Sequence, residues 1–174
     1  MKISLEAIKE LRNLTSASIA DCRKALEETS GEMDKAIKLL RQRGLEIAAK
    51  KAGVAAKEGR VEAYVHLGNK IGVLLEVDCQ TDFVARNAEF CTFTKDVAMQ
   101  IAACNPIYLA KENVPVEVLD AEKDKDLFCK NHCLLEQPFV KDPSITIKDL
   151  LGALVGKFGE NIFVRRYIRY KIGE

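Results

Sequence analysis

The sequence predicts an α+β protein in which helices come first and a small antiparallel sheet follows. Apolar residues recur at helical spacing through the N-terminal part of the chain, and strand-like alternation replaces that period from Arg60 onward. A second alternating segment closes the chain. Helices grouped apart from strands are typical of a sheet of about three strands with helices packed on one face. We expect a helical domain at 1–52, a linker at 53–59 and an α+β core domain at 60–174.

Three helices are predicted in the N-terminal domain. Ser4 precedes the first helix as a potential N-cap, and Ser18 precedes the second. Asp21 follows Ser18 by three residues, which is the spacing of a capping box. After the "TSG" turn a third helix is predicted to stop at Gly44, because glycine is common just beyond helix C-termini. The following "LEIAAKKAGVAAKEG" is predicted to be a further helical stretch and linker that ends at Gly59.

The strand pattern begins as a β-hairpin. Apolar and polar residues alternate in "VEAYVH", the turn is "LGNK", and the return strand is "IGVLLEVDC". The C-terminal "NIFVRRYIRYKI" predicts a third strand whose apolar positions alternate, with Arg166 as the exception. The helices predicted between these strands run from Asn87 to about Ala103, from Pro115 through Cys129, and from Thr146, with Asp149 as its capping partner, to Gly159.

Composition excludes two classes of protein. The chain has 27 basic and 26 acidic residues, so its net charge of +1 creates no overall attraction to nucleic acid or anionic lipid. No stretch approaches the roughly 20 apolar residues that a membrane-spanning helix needs. The N-terminal residues alternate charge with apolar positions and lack an export signal's apolar core, so we expect a cytoplasmic protein.

The six cysteines predict free thiols in a reducing compartment. They form no Cys-x-x-Cys pair, and the closest cluster is "CKNHC", which contains Cys129, His132 and Cys133. A closed zinc site needs four ligands, so His66 or Cys104 would have to be recruited from a distance. We therefore expect no bound metal.

The sequence gives little support to an enzyme. It contains no P-loop, no GxGxxG and no GxSxG motif, and His66 and His132 are too isolated to indicate a catalytic triad. We expect no catalytic activity and no cofactor.

An RNA-binding or ribosome-associated module is the alternative function that the C-terminal strand suggests. "VRRYIRYKI" interleaves basic and aromatic side chains, as a base-stacking sheet face does. "GKFG" also matches the GxxG loop of KH domains, but that loop lies between two helices, whereas a helix and a strand flank it here. A solvated strand face explains the pattern more simply, so we expect no direct nucleic-acid binding. The residues concerned are Arg165, Arg166, Tyr167, Arg169, Tyr170 and Lys171.

The loop "CQTDFVARN" carries the strongest sign of an interaction with another protein. Phe83 follows Asp82 at a loop tip, where large unpaired aromatic residues are uncommon. Burying one phenylalanine in a partner contributes roughly 2 to 3 kcal/mol, which suits a wedge within a larger interface. The residues alone leave open the alternative that this ring folds back over the protein's own core.

Three long stretches resemble the bacterial elongation factor Ts family and together cover nearly the whole chain. They are "LRNLTSASIADCRKALEETSGEMDKAIKLLRQRGLEIAAKKAG", "IGVLLEVDCQTDFVARN" and "LLEQPFVKDPSITIKDLLGALVGKFGENIFVRRYIRYKIGE". The first is similar to that family's three-helix ubiquitin-associated-like domain. The second contains the family's TDFVA element, which is highly specific.

The resemblance implies a guanine-nucleotide exchange factor that binds elongation factor Tu with GDP and accelerates GDP release during translation. In the family the Asp-Phe pair enters the partner's GTPase domain and disturbs its Mg²⁺ site, which corresponds here to Thr81, Asp82, Phe83 and Val84. The resemblance also assigns partner contacts to Arg12, Arg23, Lys51, His66, Phe158 and Gly159.

The chain departs from the family pattern at three places. "TSAS" replaces "TGAG" at Thr15 to Ser18, and Val54 replaces a polar residue after "KKAG". The second core subdomain of long members is missing, and the helical hairpin between Asp120 and Leu134 is shortened. Short members are thought to pair, which implies a homodimer through the sheet of the core domain.

Overall fold

A computed structural model describes residues 3–174 as a mixed α+β protein, which confirms the predicted fold class. Contacts divide the chain into two compact units: residues up to Ala55 with Leu151–Ile162 form the first, and Ala56–Leu150 with Phe163–Glu174 form the second. The sequence places Leu151–Ile162 in the sheet domain, whereas contacts group these residues with the N-terminal helices. The boundaries of independently folding domains stay a prediction.

The described residues form eight α-helices and five β-strands. No helix within 3–174 has both the length and the apolar character that a membrane crossing requires. The helices are α1 (Leu5–Thr15), α2 (Ile19–Glu28), α3 (Met33–Lys51), α4 (Asp82–Ala85), α5 (Ala88–Cys104), α6 (Val116–Ala121), α7 (Lys125–His132) and α8 (Ile147–Phe158). The strands are β1 (Glu58–Val65), β2 (Ile71–Cys79), β3 (Pro138–Phe139), β4 (Asp142–Thr146) and β5 (Phe163–Lys171).

In the first unit, both predicted N-caps are confirmed. The Ser4 hydroxyl accepts a hydrogen bond from the Ala7 amide at 3.1 Å, which starts α1. The Ser18 hydroxyl accepts one from the Asp21 amide at 3.1 Å and donates to the Asp21 carboxylate at 2.6 Å, which starts α2. Side chains from α1, α2 and α3 form the core: Ile8, Leu11, Cys22, Ala25, Leu26, Ala36 and Leu40.

The predicted end of the third helix at Gly44 is wrong, because α3 continues to Lys51. A Cβ atom at Gly44 would lie 2.7 Å from the backbone oxygen of Gly152 in α8, and one at Gly156 would lie 3.3 Å from the Gly44 Cα. These glycines therefore permit two helix backbones to approach closely, and Gly44 does not act as a helix stop.

In the second unit, the predicted three-stranded antiparallel sheet is present, and its strand order is β1-β2-β5. Helix α5 packs on β1 and β2 and covers one face. The β3–β4 ribbon is an addition that the sequence did not indicate, because β3 has only two residues. The apolar side of α5 is formed by Phe90, Phe93, Val97 and Ile101, all buried as predicted.

The helix predicted from Pro115 through Cys129 is two helices instead of one. Helix α6 ends at Ala121, and the Asp124 carboxylate then accepts a hydrogen bond from the Leu127 amide at 2.9 Å to start α7. An aspartate that competes for backbone amides favours a new N-cap over a continued helix. The other predicted helix boundaries agree: Thr146 and Asp149 exchange hydrogen bonds at the start of α8, and Gly159 follows its end with φ +66°.

A β-bulge in β5 changes which side chains face α5. Glu76 pairs with Arg166 but the next residue, Val77, pairs with Val164, so Arg165 is one extra residue in β5. Val164 is buried, whereas Ile168 and Tyr170, beyond the bulge, are exposed. Simple alternation along the sequence would place Val164, Ile168 and Tyr170 on one face of the sheet. Because of the bulge, Val164 lies on the covered face, and Ile168 and Tyr170 lie on the exposed face.

Candidate functional site

The stretch "TDFV" forms a short helix that presents one aromatic ring to solvent. The Thr81 hydroxyl caps α4 by accepting a hydrogen bond from the Val84 amide at 3.5 Å. Val84 is buried, while the Phe83 side chain next to it is 85% exposed. The ring therefore does not fold back over the core, since Val84 supplies the anchor and Phe83 projects from it.

Backbone carbonyls at both ends of α4 are held by thiols. The buried Cys79 thiol donates to the Thr81 carbonyl at 3.2 Å, just before the helix. The Cys91 thiol of α5 donates to the Ala85 carbonyl at 3.7 Å, at its last residue. Together these contacts fix the path of the chain through the four residues of α4.

Asp82 lies beside Phe83 in the first turn of α4. Its carboxylate is 3.2 Å from the Arg86 guanidinium, and both side chains are substantially exposed. Exposed ion pairs of this kind contribute little to stability because water and salt screen them. The Asp82 carboxylate is therefore available to a partner at little cost to the fold.

Five of the less specific predicted contact residues belong to the first unit. Arg12 and Arg23 are exposed on α1 and α2, and Arg23 donates to Glu27 at 2.8 Å. Lys51 is the last residue of α3. Phe158 and Gly159 end α8, where Phe158 is half-buried and Gly159 exposed.

His66, the sixth of these residues, belongs to the second unit and lies at the start of the β1–β2 turn. It is exposed, and its Nδ1 atom is 3.0 Å from the Tyr64 hydroxyl. The structure thus keeps Thr81 to Val84 as one contiguous element and distributes the other six positions over both units.

The basic side chains of β5 are neutralised by carboxylates. Tyr167, which would have to stack on a base, turns toward the interior, and its hydroxyl donates to the Pro106 carbonyl at 3.0 Å. This arrangement is typical of a solvated strand edge and does not offer a row of uncommitted cations to a phosphate backbone. The pairs are Arg165 with Asp78, Arg166 with Glu76, Arg169 with Glu174, and Lys171 with Glu174.

The "CKNHC" segment forms part of a small apolar cluster. Cys129 and Cys133 are buried, and the His132 ring packs 4.6 Å from that of Phe128. Burial and the neighbouring Cys129 raise the pKa of the Cys133 thiol to about 12, which opposes the thiolate form that zinc requires. Within the described residues, no group of three or more His, Cys, Asp or Glu side chains is placed to hold a metal ion.

Two features of the second unit escaped the sequence analysis. One is an exposed apolar face of the sheet, which the bulge at Arg165 conceals from simple residue counting. The other is a polar contact between Arg60, Glu62 and Cys91, which depends on how β1 packs against α5. No pattern in the sequence indicated this contact, because Glu62 belongs to the polar row of β1 that alternates with Val61, Ala63 and Val65.

Comparison with known proteins shows the family to which the chain is similar. The family model described as elongation factor TS matches residues 2–127, which include all of α4. The elongation factor Ts of Carboxydothermus hydrogenoformans is 48% identical over 195 aligned positions, covering 99% of this chain and 90% of that protein. The namesake from Caldanaerobacter subterraneus is also 48% identical, with 99% and 98% covered, and that of Desulfotalea psychrophila is 46% identical, with 99% and 100% covered.

The alignments also bear on the length of the chain. They extend over 195 or 196 positions although the chain has 174 residues, so at least 21 positions are gaps in this chain. Coverage of the relatives' own length is nonetheless 90% or more in all three cases. This chain therefore belongs to the elongation factor Ts family, a family of translation elongation factors.

Proposed function

We propose that the protein is a guanine-nucleotide exchange factor for elongation factor Tu and acts in the cytoplasm without covalent chemistry. The observation that carries this proposal is Phe83, an aromatic ring 85% exposed on a helix whose backbone is fixed at both ends. A ring exposed on a rigid support loses little conformational entropy when it binds, so it is suited to enter a pocket of another protein.

Asp82 and Phe83 act on the partner's nucleotide site from outside. A P-loop GTPase holds GDP partly through a Mg²⁺ ion that bridges to the β-phosphate. When Phe83 displaces the groups that position this ion, and Asp82 adds negative charge nearby, the phosphate loses charge stabilisation. The coupling is reciprocal, so a newly bound nucleotide weakens the complex by the same factor and releases the exchange factor.

The energy required exceeds what Phe83 alone supplies. Moving a partner from 1:99 to 99:1 in favour of the nucleotide-free form takes about 5.5 kcal/mol of differential affinity. Burial of one phenylalanine contributes roughly 2 to 3 kcal/mol. The remaining contacts of the proposal come from exposed residues of the first unit, such as Arg12 and Arg23, and from the hairpin at His66.

The test is the release of a fluorescent GDP analogue from purified elongation factor Tu. Phe83→Ala should slow release at least tenfold while leaving thermal unfolding unchanged, because the ring makes little contact with its own protein. The matched control is Ile107→Ala, since Ile107 is also exposed but lies outside the proposed interface. Equal rates for the wild type and Phe83→Ala would contradict the proposed role of the ring.

We further propose that two copies pair through the exposed face of the three-stranded sheet. The register places Ala63, Leu74 and Ile168 side by side across the three strands. Val61 and Tyr170, on the same face, are 61% and 68% exposed. A contiguous apolar face of this kind is a liability in a monomer, and a two-fold axis allows it to cover itself.

Mass measurement in solution tests the pairing. The wild type should have twice the chain mass of 19.4 kDa, and Ile168→Lys should have the chain mass itself, because it places a charge at the centre of the apolar face. Leu127→Lys is the control, since Leu127 is exposed on α7 away from the sheet. A wild type that stays monomeric at high concentration would exclude the pairing.

A further inference from the structure

A chain of polar contacts joins strand β1 to the end of α4. Arg60 is its centre: Nε donates to the Glu62 carboxylate at 2.7 Å, and Nη1 donates to the Cys91 sulfur at 3.5 Å. The Cys91 thiol donates in turn to the Ala85 carbonyl at 3.7 Å. The last residue of α4 is thereby connected through two side chains to the sheet.

Glu62 fixes the direction in which Arg60 points. Only 7% of Glu62 is exposed, on the face of β1 that α5 covers. A carboxylate in such a place requires a cation and hydrogen-bond donors. Arg60, two residues before it on the same face, supplies the cation, and the Thr94 hydroxyl lies 3.3 Å from the same oxygen. With Nε committed to Glu62, the planar guanidinium has a fixed orientation that aims Nη1 at Cys91.

The position of Cys91 is fixed independently by α5. The Thr94 hydroxyl, one turn further along, lies 3.0 Å from the Cys91 carbonyl, so the residue that contacts Glu62 and the residue that contacts Arg60 belong to the same turn of α5. Cys91 is only partly buried, and its side chain is small. It therefore contributes more to the placement of the Ala85 carbonyl than to the apolar core.

We propose that Arg60 and Cys91 are positioning residues for nucleotide exchange, which set the angle of α4 and thereby the direction of the Phe83 ring. The inference rests on the proposed exchange function, because that function gives the direction of the ring its importance. Neither Arg60 nor Cys91 touches the partner in this proposal. Both act through α4, whose C-terminal end they hold in addition to its own backbone hydrogen bonds, the Asp82–Arg86 ion pair and the buried Val84.

The first experiment examines the unbound protein. Loss of the thiol in Cys91→Ala should speed deuterium exchange at the Arg86 and Asn87 amides, which donate to carbonyls of α4, by about threefold to fivefold. Cys91→Ser should restore the wild-type rate, because its hydroxyl can also donate to Ala85. Cys104→Ala is the control, since Cys104 lies at the far end of α5. Unchanged exchange in Cys91→Ala would overturn the inference whatever elongation factor Tu does.

The second experiment measures GDP release in a double-mutant cycle. Cys91→Ala and Arg60→Lys should each lower the maximal rate about threefold, with thermal unfolding unchanged for Cys91→Ala. Arg60→Lys retains the charge beside Glu62 but cannot donate to Glu62 and Cys91 from one rigid fork. In the Phe83→Ala background, Cys91→Ala should have no further effect, because the ring through which it acts is gone.

The outcomes separate the two proposals. If Cys91→Ala lowered the rate of GDP release by the same factor with and without Phe83, Cys91 would act only on overall stability. That result would overturn the positioning role. Faster amide exchange in Cys91→Ala together with a wild type that does not accelerate GDP release would leave α4 positioned as inferred but refute the proposed exchange function.

Discussion

Tyr167 shows how a single residue on the covered face of the sheet responds to its surroundings. Its hydroxyl donates to the Pro106 carbonyl at 3.0 Å. Burial, with a smaller contribution from Cys133, raises the pKa of its phenol to about 12. The folded protein therefore favours the neutral phenol more strongly than the unfolded chain does.

This shift gives a prediction for alkaline pH. The contribution of the neutral phenol to stability is fully present below the ordinary tyrosine pKa of about 10 and is lost as the pH rises through about 12. Over that interval the free energy of unfolding of the wild type should fall more steeply than that of Tyr167→Phe, as measured by denaturant titration. Parallel curves for the two proteins would show that this phenol is not protected in the fold.

Residues identified from the sequence differ from those that only the structure reveals. Phe83 was identifiable because an aromatic residue beside Asp82 in a loop is unusual in itself. Arg60 and Cys91 were not, because they are 31 residues apart and meet only through the packing of β1 on α5. A contact of this kind has no periodicity or spacing that a single sequence would display.

At the scale of the element, Gly44 and Gly53 form a matched pair for mutation. Alanine is favoured over glycine inside a helix by about 1 kcal/mol, but the added Cβ at Gly44 would meet the Gly152 carbonyl at 2.7 Å. Overpacking against backbone costs typically 1 to 3 kcal/mol, so Gly44→Ala should lower the thermal unfolding temperature. Gly53→Ala should not, since nothing lies within 4 Å of its added Cβ. A Gly44→Ala protein as stable as the wild type would contradict the close helix approach.

Helix starts were more predictable than helix ends or strand faces. Ser4, Ser18 and Thr146 cap their helices through contacts within three residues, so the local sequence contains the whole signal. The helix end predicted at Gly44 was wrong, because this glycine permits close packing against α8, which lies more than a hundred residues further along the sequence. The faces of β5 could not be read from alternation, because the pairing with β2 decides where Arg165 is accommodated.

At the scale of the whole molecule, the first unit needs residues from both parts of the sequence. Asn161 donates to the Val54 carbonyl at 2.7 Å, and Gly152 and Gly156 pack on Gly44. A fragment that ends at Ala55 lacks these contacts, although it contains the complete core of α1, α2 and α3.

The fragment 1–55 should therefore fold but melt at a lower temperature than the same helices in the full chain. Circular dichroism with and without a synthetic peptide of residues 147–162 measures the difference, and the peptide should raise the melting temperature. A peptide with Gly152→Leu is the control, because its side chain would meet Leu45. A fragment indifferent to both peptides would show that the N-terminal helices need no support from α8.

The single extra residue at Arg165 makes the exposed apolar face of this sheet depend on strand length as much as on composition. Deleting Arg165 would place either Val164 or the pair Ile168 and Tyr170 on the opposite side, since successive residues of a strand point in opposite directions. The insertion or deletion of one codon can thus bury or expose an apolar surface without altering any amino acid that forms it. Descendants that gain or lose such a codon would differ in the apolar area that they expose to water, while their aligned residues remained almost identical.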